Sequence, residues 1–286
     1  MSEIVLFNHI PKTAGSTMRR ILFRAVGGTR ILYATTLGRH REDTAAIARR
    51  LGGRDDGPLV VLAHTGCGLQ SRLPQRHEYR SFTMLREPID RTISIYYYSL
   101  KSHGLPLQEF LETHPEHAYN HQTAFLGGLT ARHHLEGEPI EPGRFDRDLV
   151  DRAKRNLEGH QAIGLTEQFD ESLALLRAAF GWPMAKTLYL PTNVGEDRRR
   201  VDGPPLTEDD LAAVRAYNEI DLEIYARARD LFAARLAEQV PNRDSTLRRF
   251  RGLNAAYGMV YPVAYPPASA VARGVRRWRP RSRQPA

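Results

Sequence analysis

The chain has 286 residues, of which 41% are hydrophobic and 26% charged, with a formal net charge of +8 and one cysteine, Cys67. That length suits one large α/β domain or two small ones, and a lone cysteine excludes an internal disulfide framework. After Met1 the sequence shows neither a signal-peptide core nor an apolar run of membrane-spanning length, so a cytoplasmic location is expected. The charge is uneven. From Asn242 to Ala286 ten arginines face one acid, Asp244, a balance of +9, which leaves the remainder with 31 bases and 32 acids, or −1. The chain therefore reads as a near-neutral body, residues 1–240, followed by a basic extension, 241–286, that contains prolines and tyrosines.

In chain order, Glu3–Ile10 reads as a strand. The loop Pro11-Lys-Thr-Ala-Gly-Ser-Thr17 follows, and then Met18, Ile21, Leu22, Ala25 and Val26 recur at helical spacing. Leu59–His64 is a second strand and Ser81–Leu85 a third, followed by a helix that Pro88 can start at its first position. Residues 102–156 read as a helical or irregular insertion. Ala162–Leu165 is a fourth strand, with a helix buried through Phe169, Leu173, Leu176 and Phe180, and Thr187–Leu190 is a fifth. A long helix runs from Thr207 to Glu238, opened by a capping-box pattern at Thr207 to Asp210. In the extension, Leu253 to Ala272 is uncharged, and Pro262, Pro266 and Pro267 predict an irregular segment ahead of an arginine-rich end.

Strands alternating with helices imply a mostly parallel sheet of about five strands flanked by helices. In such sheets ligands bind at the carboxyl ends of strands, here the loop after Ile10, His64 and Arg86. The loop suits an oxyanion: small residues let backbone N–H groups approach, a helix N-terminus follows, Lys12 adds charge, and Ser16 and Thr17 add hydroxyls. It lacks the G-x-x-x-x-G-K spacing of nucleotide triphosphatases, and neither following strand ends in an aspartate placed for magnesium. Read on their own, Arg86 and Ser94 fit either a phosphate site or an ordinary ion pair beside a solvated serine. His64 fits either a general base or a hydrogen-bonded strand end, and His9, bordering the loop, reads as structural.

Phe7-Asn-His-Ile-Pro-Lys-Thr-Ala-Gly-Ser-Thr17 resembles the 5′-phosphosulfate loop of carbohydrate sulfotransferases related to heparan sulfate 2-O-sulfotransferase. Met84-Leu-Arg-Glu-Pro-Ile-Asp-Arg-Thr-Ile-Ser-Ile-Tyr-Tyr-Tyr98 is similar to that family's 3′-phosphate motif. Gly164–Ser172 and Asn218–Tyr225 resemble downstream family segments, so the likeness covers roughly residues 3–236. It implies a P-loop-like fold and metal-independent transfer of a sulfuryl group from 3′-phosphoadenosine-5′-phosphosulfate (PAPS) to a carbohydrate or glycolipid hydroxyl, in a soluble, bacterial-type member. The residues it implies are Lys12, Thr13, Ala14, Gly15, Ser16 and Thr17 for the phosphosulfate, Arg86 and Ser94 for the 3′-phosphate, and His64 with Lys12 for catalysis. Relatives often carry Gly-His where this chain has Ala63-His64. Asn120–Gly127 resembles a segment lining the family's acceptor cleft, with Ala124 where many relatives have arginine. A P-loop kinase or hydrolase, or a binding protein that has lost catalysis, are the rival readings. The arginine-rich end fits a frayed terminus or contact with an anionic membrane, and Arg198–Arg200 a solvated charge run or a flap over the cofactor. No specific nucleic-acid partner is expected.

Overall fold

The computed structural model describes residues 3–27, 30–34, 59–136, 138–190 and 205–264, with single positions at 47, 49 and 51. Arg198–Arg200 and the arginine-rich end from 265 lie outside the described residues.

Five strands, β1 (Glu3–Asn8), β2 (Ile31–Ala34), β3 (Leu59–Ala63), β4 (Glu78–Leu85) and β5 (Ala162–Leu165), form one sheet in the order β2-β3-β1-β4-β5. Every neighbouring pair is parallel. Both faces of a parallel sheet are covered, so its strands are near-continuous apolar runs rather than alternating ones; Leu59–Ala63 is buried at every position. The two faces separate by alternation along β1: Val5 and Phe7 join the larger core cluster, Ile4 and Leu6 the smaller one. The chain runs from β1 out to β2, returns through β3, and crosses to β4 on the other side. The order therefore reverses around β1, and the crevice at the carboxyl ends of β3, β1 and β4 is the topological switch point where such sheets bind ligands.

The helices that matter for the site are α1 (Gly15–Val26), α2 (Pro88–His103), α3 (Leu107–Thr113), α4 (Pro115–Ala118), α5 (His121–Leu126), α6 (Leu129–Glu136) and α7 (Arg147–Gly159). They are followed by α8 (Phe169–Phe180), α9 (Met184–Thr187), α10 (Glu208–Ala216), α11 (Glu219–Gln239) and α12 (Arg243–Ala264). The expected helical insertion is α3 to α7.

Three expectations are corrected. Thr187–Leu190 is not a strand. Its backbone groups are taken by side chains instead: Asn254 Oδ1 accepts the Tyr189 N–H at 2.7 Å and Arg24 donates to the Leu188 carbonyl. The fifth strand is Ile31–Ala34, a short run at the edge of the sheet. The long helix from Thr207 is two helices. Buried Asn218 ends the first by donating Nδ2–H to the Val214 carbonyl at 2.8 Å, while its Oδ1 accepts from Thr92. The capping box at Thr207 and Asp210 is present. Finally, the segment after 240 opens as helix α12, which continues through Pro262 to Ala264, and its Leu247 and Phe250 belong to the main core.

Candidate active site

The loop after β1 is held in a strained form. Lys12 and Ala14 have φ of 72° and 62°, a left-handed conformation that costs a non-glycine residue roughly 1–3 kcal/mol. Three side chains hold it there. Thr13 Oγ1 donates to the Ile10 carbonyl at 2.8 Å, Arg91 Nε to the Pro11 carbonyl at 3.3 Å, and Arg86 Nη1 to the Lys12 carbonyl at 3.4 Å. A planar peptide carries its C=O and N–H on opposite sides, so pinning the carbonyls of Pro11 and Lys12 one way turns the N–H groups of Lys12 and Thr13 the other. Helix α1 then begins with no acid in its first turn and no side-chain cap from Ala14, a helix start whose dipole favours an anion. Lys12 Nζ rests 4.4 Å above the ring of Tyr98, whose side chain is exposed.

The expected cofactor residues contribute differently. Thr13 is fully buried and its hydroxyl is taken by the Ile10 carbonyl, so its side chain is not turned to a ligand. Ser16 is exposed and Thr17 buried on the first turn of α1. Gly15 is explained by packing: a Cβ there would lie 1.6 Å from Nε2 of His9. Arg86 reaches the loop as described. Ser94 sits half-buried on α2, the helix that also carries Arg91.

His64 follows β3 and bonds His9 side chain to side chain, Nε2 to Nδ1, at 2.9 Å. The strand register brings them together: Asn8 pairs with Ala63, and the His9 N–H donates to the Ala63 carbonyl at 2.8 Å. Enclosure of the ring, then the His64 and Arg19 charges, hold the His9 imidazole well below its usual pKa.

Several functional residues escaped the sequence reading. Arg91 is the largest fully buried side chain among the described residues. Besides Pro11 it donates to the His117 carbonyl, and burial, partly offset by Asp221, lowers its pKa to about 10. Gln122 brackets the backbone of Arg86, with Oε1 accepting its N–H at 3.1 Å and Nε2 donating to its carbonyl at 2.9 Å. Gln122 is in turn placed by reciprocal capping of two helices. Asp221 of α11 accepts the N–H groups of Gln122 and Thr123 at 2.9 and 2.7 Å and the Thr123 hydroxyl at 2.6 Å. Asn120, before α5, accepts the N–H groups of Ile220 and Asp221 at 3.0 and 2.9 Å. Asn120–Gly127, the segment that resembles a cleft lining, is buried throughout, and its Gln122 braces Arg86. Glu167 accepts the Glu87 N–H at 2.9 Å and the Tyr225 hydroxyl at 2.7 Å.

Residues 2–256 match the model of the family described as galactose-3-O-sulfotransferase. The chain belongs to this family. Among its relatives, human heparan-sulfate 6-O-sulfotransferase 1 is 24% identical, aligned over 82% of this chain and 66% of that protein. Bovine galactose-3-O-sulfotransferase 3 is 27% identical over 96% of this chain and 69% of its own. The chain thus spans about two thirds of the length of the curated relatives it matches. A crystal structure of a sulfotransferase from Alicyclobacillus acidocaldarius superposes loosely, with a TM-score of 0.43 and 16% identity over 78% of this chain and 96% of that one. Within the galactose-3-O-sulfotransferase family match lie both sequence motifs, the His9–His64 pair and the helix caps behind Arg86.

Proposed function

We propose that this chain transfers a sulfuryl group from PAPS to a carbohydrate hydroxyl. The observation that carries the reading is the loop: N–H groups and a helix start without a side-chain cap face one way, three carbonyls are tied back, and Lys12 supplies positive charge. These residues fit an esterified phosphosulfate, and PAPS supplies an activated sulfuryl group on a phosphate leaving group. Lys12 and the N–H groups from Lys12 to Thr17 hold that end and stabilise charge developing on the leaving phosphate oxygen. Arg86 and Ser94 hold the 3′-phosphate, and His64 takes the proton from the acceptor hydroxyl. Family membership supports a carbohydrate acceptor. The finer likeness to 2-O-sulfotransferases, a glycolipid acceptor, a cytoplasmic setting and membrane contact by the arginine-rich end rest on sequence alone.

The test is to incubate the full chain with PAPS and a panel of saccharides, with and without magnesium, and to measure adenosine 3′,5′-bisphosphate release and sulfated product. Sulfated saccharide is expected with wild type and not with Lys12→Ala. A chain that neither binds PAPS nor sulfates any saccharide, or that phosphorylates the panel from ATP, overturns the reading.

A further inference from the structure

We propose that His9 is a positioning residue for His64, accepting the Nε2–H of His64 at its own Nδ1 so that Nδ1 of His64 receives the acceptor's hydroxyl proton. The inference rests on the sulfotransferase reading above and adds a residue and an atom to it.

The pair is built rigidly. The rings meet edge-on with centroids 4.2 Å apart. His9 stacks on Phe7 at 5.1 Å, and its Nε2 is sealed without a hydrogen-bond partner, over the α-carbon of Gly15, where any larger residue would collide. His64 is fixed from the other side by its N–H, which donates to the Ala34 carbonyl at 2.9 Å. A bond between two neutral imidazoles carries one proton, and it can run either way. If His9 donates, Nε2 of His64 is consumed as acceptor and its proton sits on Nδ1, so the ring cannot act as a base. If His64 donates from Nε2, its lone pair lies on Nδ1 and the ring can take a proton. Only the second arrangement serves transfer. It requires His9 to stay neutral, which enclosure and the nearby Arg19 charge favour, and to carry its own proton on the sealed Nε2.

The step then balances. The acceptor oxygen bonds to sulfur as the bond from sulfur to the bridging phosphate oxygen breaks, and that oxygen leaves with the electron pair. The hydroxyl proton goes to Nδ1 of His64 and later to water. The imidazolium formed keeps its Nε2–H bond to His9, now charge-assisted. A neutral imidazole thus does for His64 what a buried carboxylate does for the histidine of a Ser-His-Asp triad.

The first measurement is the tautomer of His64 by ¹⁵N NMR of the full, histidine-labelled chain above neutrality, assigned with His64→Gln. It needs no turnover, so it is decided even if the sulfotransferase reading fails. A proton on Nε2 is expected; a proton on Nδ1 overturns the proposal. The second is kinetic. His9→Leu is expected to lower kcat by about tenfold or more while leaving the KM for PAPS within about threefold. His9→Asn, whose Oδ1 can stand in for Nδ1 as acceptor, is expected to recover most of that loss and to keep His64 protonated on Nε2. Folded His9→Leu with wild-type kcat overturns the proposal. If His9→Leu does not fold, the wild-type and His9→Asn spectra still decide it.

Discussion

Asp221→Asn separates the helix-capping network from the chemistry it supports. The carboxylate serves three donors: one oxygen takes the Thr123 N–H and hydroxyl at 2.7 and 2.6 Å, the other the Gln122 N–H at 2.9 Å. The amide keeps one oxygen and sets an NH₂ against the third donor. Losing one bond to a charged acceptor costs about 1.5–3 kcal/mol, and stranding a buried N–H costs about 1–3 more. Part of this returns because an amide is cheaper to bury: burial is the main cause raising the Asp221 pKa. The expected net loss is about 2–4 kcal/mol of unfolding free energy, read by urea denaturation. The damage should also reach the donor site, because Gln122 holds both backbone groups of Arg86. Titration calorimetry with adenosine 3′,5′-bisphosphate should therefore show weaker binding in variant that remains folded. A variant within about 1 kcal/mol of wild type, or folded with unchanged affinity, would refute the argument.

Arg86→Ala should raise the KM for PAPS more than it lowers kcat, because the 3′-phosphate does not react; steady-state kinetics with a normal KM and collapsed kcat would contradict that role. Adenosine 3′,5′-bisphosphate at ~100 times its Kd should add about 2.7 kcal/mol to stability, visible as a thermal shift that Lys12→Ala diminishes. Acid should destabilise the fold through His160, whose buried ring accepts from Asn8, donates to the Asn156 carbonyl, and has its pKa lowered to about 4, chiefly by burial. The unfolded histidine takes its proton near pH 6.5 and the folded one does not until about pH 4, so stability falls as pH drops through that window, by on the order of 3 kcal/mol. His160→Gln should flatten this dependence in denaturation midpoints measured from pH 7 to 4.5.

The parallel sheet and the loop after β1 were legible because each has a local signature: apolar runs for strands buried on both faces, and small residues with a lysine before a helix. Four strands were found that way. Ile31–Ala34 was missed because four residues at a sheet edge carry too little pattern, and Thr187–Leu190 was misread because its β-branched and aromatic character suits a strand while its partners are side chains from α12 and α1. The buttresses of the site are non-local. Asn120, Gln122 and Asp221 are ordinary polar residues until the fold joins segments 101 positions apart. Arg91 lay in plain view inside the Met84–Tyr98 motif, yet only the structure shows it buried against Pro11. His9 reads as a structural residue bordering the loop until the strand register brings His64 beside it.

The reciprocal caps also bear on the order of assembly. A growing chain that has reached Leu165 already contains every strand of the sheet, including the loop, His64 and Arg86. It still lacks Asp221, and so nothing caps α5 from α11 or fixes the Gln122 bracket on Arg86. Closing that long-range contact costs loop entropy and is among the slower events in folding. On the proposed reading of Arg86, donor affinity therefore waits on the docking of α11, because only then is Gln122, which brackets the Arg86 backbone, held in place.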